Sequence, residues 1–509
     1  MTLRILLLNP PHGSIGSRIP VEQLPPLGLL SLGGPLLDAG FTVELLDADL
    51  YNLPLHEIRH RALHFAPDVV MTGHAGSTSA HPVIMTILNA LRGALPGVPF
   101  VYGGVFPTYH WFDILTEHPQ VDIVVRGEGE VTAVRLAQAL AQGTPLMDVL
   151  GLAYRQDGKP HATAQATMLT PLDDARVGWE LIRHADYFYW GARRAVVAQF
   201  SRGCPYPCSY CGQRGFWTQR RHRDPVRFAQ DLARLHREEG VQVINFADEL
   251  PTGNRAAWAA FLDALIAENV KLTLVGSTRA GDADLLPRYR QAGVIRFLLG
   301  IESYDQVTLQ SIRKGASTKD DREAIRLMRE AGIISMATYV VGFEEERDID
   351  YWHSFRQLML YDPDQIQLLY ITPHRWTPFF ETVKHRQVVQ TDVTKWDYKH
   401  QVLATRNVPP WRVLLWFKLM EVAVQLRPAM LWRTLTHPDP EYRHAMRWYY
   451  AVGFRVWLHE IREFTFKLRL RRDGPSLEDF WGSSLAQHEE ALARPSRRPA
   501  HTQNGGLNP

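Results

Sequence analysis

Every cysteine in this 509-residue chain lies within eight residues, Cys204-Pro205-Tyr206-Pro207-Cys208-Ser209-Tyr210-Cys211. An odd number packed at C-x3-C-x2-C spacing cannot make a disulfide framework, which needs an even number spread over the chain. Three thiolates from one Gly/Pro-rich loop can hold three corners of a [4Fe–4S] cube and leave the fourth iron open to another ligand. The alternatives are a partial zinc site and three ordinary buried cysteines. Zinc would recruit a fourth ligand at C-x2-C or H-x3-H spacing, and no such pair stands nearby. Structural cysteines would be scattered. The clustering therefore predicts that Cys204, Cys208 and Cys211 bind metal.

A loop of this kind has to be delivered by a strand. Residues 195–200 supply one, Ala-Val-Val-Ala-Gln-Phe, and apolar strands recur at 243–248, 272–276, 295–300 and 336–342, with helical segments between. That alternation predicts a partial parallel (β/α) barrel with functional residues at the strands' carboxyl ends. Asp248, Glu249, Arg279, Glu302 and Ser303 fall at such ends, and so does Gly342-Phe343-Glu344-Glu345. Carboxylates there suit an ammonium group, and the planar fork of Arg279 suits a carboxylate. Any one of them is as well explained as a solvated loop residue. Their recurrence at successive strand ends carries the reading.

Upstream, apolar strands at 3–8, 41–47, 68–73, 98–104 and 121–127 alternate with helical patterns and predict a doubly wound parallel sheet. Ligands on such sheets sit beyond the carboxyl ends of the strands. The Gly73–Thr78 and Gly103–Thr108 segments fall there, and Gly73, Ser77, Thr78, Gly103, Gly104 and Pro107 become candidate cofactor contacts. Tight turns alone would also explain these glycines. Residues 1–140 form this first domain, 141–194 a connector with a hairpin at Asp157-Gly158, 195–385 the barrel, 386–490 a helical region, and 491–509 a tail expected to be disordered.

The cysteine stretch, with Tyr210 before the third cysteine, resembles the cluster motif of the radical S-adenosylmethionine (SAM) enzymes. The resemblance implies SAM on the open iron, cleaved by one electron to a 5′-deoxyadenosyl radical, with Asp248, Glu249, Arg279, Glu302 and Ser303 around SAM. The N-terminal string resembles the cobalamin-binding domain that precedes many of these enzymes. It is carried by Pro26-Leu27-Gly28 with Gly40, Asp47, Gly103-Gly104, Pro107-Thr108 and Arg126-Gly127-Glu128-Gly129-Glu130. It lacks the Asp-x-His-x-x-Gly segment that supplies a histidine to cobalt elsewhere, and Phe106 stands where relatives often carry His. His74, His81 and His110 remain as neighbours of a cobalt site, though a lone loop histidine is more often a surface residue.

Phe216-Trp217, Arg223-Asp224-Pro225, Ala247–Thr252 and Thr372-Pro373 through Pro378 are similar to the anaerobic magnesium-protoporphyrin IX monomethyl ester cyclase family, most clearly over residues 1–385. The resemblance implies oxygen-independent oxidative cyclisation of a tetrapyrrole in bacteriochlorophyll biosynthesis, with the new oxygen drawn from water. A cobalamin-dependent C- or P-methyltransferase is built from the same parts and is the alternative. A non-catalytic cobalamin or iron–sulfur scaffold would have no use for acidic and basic residues around SAM. Tyr210, His374 and Arg375 are catalytic candidates by position.

A net charge of +2, with no long basic run, gives no reason to expect nucleic acid. No apolar stretch reaches membrane-spanning length and no signal peptide precedes the first strand, so the expected location is cytoplasmic. The expected partners are a tetrapyrrole or other small-molecule substrate and an electron donor such as flavodoxin or ferredoxin. The Trp/Arg/Leu-rich helices of 408–470 read as a cap on the barrel, a pocket for a flat anionic ligand, or a peripheral membrane face.

Overall fold

The computed structural model describes residues 2–11, 23–74, 78–278, 283–315, 317–467, 470 and 473–485. Ser77, Arg279 and the 491–509 tail lie outside the described residues.

The first sheet runs in the order β2-β1-β3-β4-β5: β1 (Arg4–Asn9), β2 (Thr42–Asp47), β3 (Val69–His74), β4 (Phe100–Gly104) and β5 (Ile123–Val125), all parallel. Its faces follow the two-residue period of the strands. Ile5 and Leu7 join Val69, Met71, Val101 and Ile123 on one side, against helices Leu27–Asp38 and Glu130–Gln142. Leu6 and Leu8 join Val70, Phe100 and Tyr102 on the other, with residues of helices Leu55–Phe65, Ala80–Arg92 and Val105–Glu117. Both faces are covered, which is why the strands read as unbroken apolar runs. The chain switches sides between β1 and β3, so Asn9 and His74 border the crevice where ligands of such sheets bind.

The hairpin of β6 (Leu152–Gln156) and β7 (Lys159–Ala162) turns at Asp157-Gly158, with φ of 51° and 76°. Instead of leading into the barrel, it extends the first sheet, with β6 antiparallel to β5.

In the second sheet β8 (Phe188–Tyr189) borders six parallel strands: β9 (Arg193–Ala198), β12 (Val243–Phe246), β13 (Thr273–Thr278), β14 (Val294–Glu302), β15 (Ile334–Val341) and β16 (Gln365–Tyr370). It stays open, since β9 and β16 do not pair. Between β9 and β12 the cysteine loop is closed at its base by a short antiparallel ladder, β10 (Ser201–Arg202) with β11 (Arg221–His222). Asp224-Pro225 follows as a helix start: the Asp224 carboxylate accepts from the N–H groups of Val226 and Arg227, and Pro225 takes the first helical position. Helices Pro410–Gln425, Pro428–Thr436 and Pro440–Phe466 complete the barrel side, with Tyr442, Ala445 and Met446 packed on Val243, Val275, Ile295 and Ile334.

Candidate active site

The cysteine loop is held by its backbone. Gly203 has φ of 89°, and a Cβ there would meet the carbonyl oxygen of Gln219 at 2.7 Å. The Ser209 N–H donates to Ile312 O at 2.9 Å, the Phe379 N–H to Ser209 O at 3.0 Å, and the Trp376 indole to Gly212 O at 2.9 Å. None of the three cysteines is in a disulfide; Cys208 is buried, Cys211 half-buried and Cys204 exposed. Burial pushes the Cys211 thiol up to about 11, with the neighbouring Cys208 and Cys204 adding to it. A thiol so placed becomes a thiolate only beside a strong positive charge, which coordinated iron supplies.

The acidic pair at the end of β12 divides its work. Asp248 accepts from the N–H groups of Phe200 and Ser201 (3.0 and 2.5 Å) and from the Ser201 hydroxyl (2.6 Å), so its carboxylate fixes the strand that delivers the loop. Burial raises it to about 6. Glu249 takes a hydrogen bond from the Gly203 N–H, but its buried Oε2 has no partner. Burial and the charge of Asp248 raise it to about 8. A buried carboxylate oxygen with no partner, beside the cysteine loop, is an acceptor of the kind an ammonium group fills.

Glu302 ends β14 in the left-handed region, φ 66°, at a shift of register against β15. A non-glycine residue there is held by its surroundings: Lys314 Nζ reaches Glu302 Oε1 at 2.7 Å, with both side chains 9% exposed. A Cβ on Gly300 would crowd the Lys314 ammonium and the Glu302 carboxylate. Tyr210 donates to Glu302, and burial with that carboxylate nearby holds its phenol well above the ordinary range. Tyr210 is therefore a neutral donor at neutral pH. Ser303 accepts from the Asp305 N–H at 3.1 Å. At the next strand end the carboxylate that folds back is Glu346, one residue beyond the pair read from the sequence. Its Oε2 accepts from Gly342 N–H (2.7 Å), Phe343 N–H (3.0 Å) and Tyr351 hydroxyl (2.7 Å), while Glu344 meets His385 and Arg406.

The first sheet turns its strand ends toward this loop. Tyr109 hydroxyl donates to Arg214 O at 3.1 Å, and Trp376 stacks on Tyr109 at 5.3 Å. His374, fully buried, meets Thr78 Oγ1 through Nδ1 at 3.2 Å and Tyr398 hydroxyl through Nε2 at 2.7 Å. Burial lowers it to about 4, so it is neutral. Tyr398 is 37% exposed. The residues that sequence reasoning missed here, Tyr398 and Lys314, carry no motif; each meets its partner only after folding.

The first sheet's candidates are placed as follows. Gly73 and Gly103 end β3 and β4 side by side, where a Cβ on Gly73 would meet Gly103 O at 2.6 Å. The segment read as a loop from Gly103 to Thr108 is a strand end followed at once by helix Val105–Glu117, with Pro107 buried in its first turn. Proline is tolerated there because first-turn N–H groups have no intrahelical partner. Glu128 faces the other domain: it pairs with Arg202 (2.9 Å) and Arg221 (2.8 Å), and Arg202 also holds Glu130 (2.5 Å), all four side chains at most 8% exposed. His81 and His110 stack on Phe106 at 4.6 and 4.0 Å. Burial lowers His81 to about 3 and His110 well below its ordinary range.

Comparison with known proteins accords with this geometry. Residues 198–358 match the radical SAM superfamily, and residues 20–137 match the B12 binding domain. The chain is thus a radical SAM protein carrying a B12 binding domain. It is 54% identical, over 96% of its length and 99% of the relative's, to the anaerobic magnesium-protoporphyrin IX monomethyl ester cyclase of Synechocystis sp.. It is 31% identical to the cyclase of Cereibacter sphaeroides over 78% of this chain and 66% of that one. The chain belongs to the anaerobic magnesium-protoporphyrin IX monomethyl ester cyclase family. The likeness runs through the C-terminal third, beyond the 1–385 span that carries the sequence motifs. Among solved structures, the fold is similar to the radical SAM methyltransferase TsrM from Kitasatospora setae, a structure with cobalamin and a [4Fe–4S] cluster bound: TM-score 0.68, 15% identity, covering 91% of this chain and 100% of that one.

Proposed function

We propose that the protein carries out the oxygen-independent oxidative cyclisation of magnesium-protoporphyrin IX monomethyl ester or a closely related tetrapyrrole. The observation that carries this reading is the 54% identity that extends over 96% of the chain, including the region that follows the barrel. When bound, the cluster with SAM supplies a carbon-centred radical able to remove hydrogen from an unactivated carbon, and the corrinoid supplies a further redox centre.

The chain's own residues position and insulate that chemistry. Cys204, Cys208 and Cys211 would hold the iron–sulfur cluster through their thiolates. Glu249 would receive the ammonium of SAM on its unpartnered Oε2, and Asp248 keeps the delivering strand in place. Tyr210 presents a neutral phenol locked to Glu302, which Lys314 neutralises. His374 and Tyr398 form a hydrogen-bonded path between Thr78 and the exposed edge of Tyr398, along which a proton can be passed without creating a buried charge. The aromatic layer of Phe106, Tyr109 and Trp376 is buried where the two domains meet and excludes water there. A small one-electron carrier such as flavodoxin or ferredoxin is the matching reductant.

The test is anaerobic turnover of reconstituted protein with SAM, cobalamin, reductant, magnesium-protoporphyrin IX monomethyl ester and oxygen-18 water, read by mass spectrometry. Labelled oxygen in a hydrogen-depleted product is the expected result. A methylated product would place the protein with the methyltransferases, and 5′-deoxyadenosine formed beside unchanged porphyrin would mean a different substrate.

A further inference from the structure

The three C-terminal helices carry an outer face with no partner in the fold. Along Pro410–Gln425, Trp411, Leu415 and Leu419 recur every four residues on one stripe, opposite the buried stripe of Val413, Phe417 and Met420. The next helix adds Leu431, Trp432 and Leu435. Trp411 is 59% exposed, Trp432 70% and Leu435 73%. Soluble surfaces carry single apolar residues freely, but not a contiguous series with two open tryptophans.

Charge sorting on the same helices indicates what covers this face. Residues 410–467 contain five carboxylates, and each is paired with a cation. Glu421 and Glu460 hold Lys418, Glu463 holds Lys395, Asp439 holds Arg290 and Glu441 holds Arg193. The exposed charges are the other sign only: Arg447, Arg455, Arg462 and Lys467. The surface therefore pairs open tryptophans and leucines with a cationic border, and the acid that meets helix 410–425 from outside, Asp348, is paired with Arg412. A second copy fits poorly, because a two-fold interface would set that cationic border against itself. An anionic lipid surface complements both features, with tryptophan at headgroup depth and arginine on lipid phosphate. Among the described residues no helix is long and apolar enough to cross a membrane, so this contact lies on the surface.

We infer that the outer face of helices 410–425 and 428–436, bordered by Arg447 and Arg455, docks the protein on an anionic lipid bilayer. The inference stands on surface chemistry alone and does not depend on which reaction the barrel performs.

The experiment is co-sedimentation of the reconstituted full chain with vesicles of phosphatidylcholine alone or mixed with phosphatidylglycerol. Binding should rise at least about tenfold with phosphatidylglycerol and fall in high salt. The double variants Trp411→Glu/Leu415→Glu and Arg447→Glu/Arg455→Glu should each lose most of it, with unchanged circular dichroism. If the first double variant fails to fold, Leu435→Glu at the most exposed position gives the same reading. Absence of binding to both vesicle types, binding indifferent to both sets of variants, or loss of a dimer in sedimentation velocity without any lipid binding would each overturn the proposal.

Discussion

The contact between the two domains is built from two opposite materials. On the first-sheet side, His81, His110 and His374 lie buried among Phe106, Tyr109 and Trp376, and burial holds all three imidazoles below their ordinary range. On the barrel side, full charges stand in close pairs: Lys314 on Glu302, and Arg202 and Arg221 on Glu128. A neutral, aromatic wall suits a large, flat ligand bound through its faces, whereas paired charges with one unsatisfied carboxylate suit a small zwitterion. The difference sets a neutral aromatic cluster against a charged one. It also separates two kinds of residue on the barrel side, those that meet a ligand and those that hold the frame.

The largest effect should come from the loop itself. Replacing Cys204, Cys208 or Cys211 with Ala should abolish cluster absorbance and 5′-deoxyadenosine formation together. A variant that still cleaved SAM would break the assignment of the barrel side.

Next in size is Glu128→Ala, which tests whether the Glu128 pairs belong to the frame. Removing it leaves the buried Arg221 guanidinium without a carboxylate and Arg202 with Glu130 alone, a loss on the order of 3 kcal/mol of unfolding free energy. Chemical denaturation reads this directly. A cofactor contact alone would weaken corrinoid retention and leave stability intact.

A smaller and pH-dependent effect separates the two walls. Glu346, raised by burial to about 7, sits above the value of an unfolded glutamate, so the fold loses stability as pH rises from about 4.5 to 7. His374, lowered to about 4, has the opposite sign: the unfolded chain takes the proton first, and stability is lost as pH falls from about 6.5 to 4. Glu346→Gln keeps an oxygen for Gly342, Phe343 and Tyr351 and should flatten the upper slope, on the order of 3 kcal/mol across it. Parallel slopes for the wild type and this variant would show that Glu346 is already ionised without penalty.

Much of this division was legible in the chain. The five apolar strands of the first sheet, the barrel strands and the Asp157-Gly158 turn follow from hydrophobic period and turn chemistry, because both sheets are covered on two faces. The cysteine loop follows from counting. What could not be read was direction. Asp248 and Glu249 are adjacent and alike in sequence, yet one is consumed by Phe200 and Ser201 and the other keeps a free oxygen, a difference made by backbone 47 to 48 residues away. Glu128 sits in a motif that suggests a cofactor, and its guanidinium partners lie 74 and 93 positions along the chain. Likewise the Gly103–Thr108 stretch looks like a loop from its glycines, but the helix starts at Val105 because proline is harmless in a first turn.

The finest test concerns the seam where the two walls meet. Tyr398→Phe removes the hydroxyl that meets His374 Nε2 and leaves the ring, which is already partly exposed. The loss in stability at pH 7 should be no more than about 1 kcal/mol, the worth of one neutral hydrogen bond. If His374 is held neutral by burial, as its surroundings dictate, the acid limb of the stability curve should keep its midpoint in this variant. A midpoint that moves toward 6.5 would mean that the phenol, and not the aromatic packing, keeps the imidazole uncharged. The first-sheet wall would then depend on a polar contact from the C-terminal region, and the contrast between the two walls would be one of degree. With the midpoint unchanged, a slowed turnover in Tyr398→Phe at undiminished SAM binding would assign the pair to proton transfer.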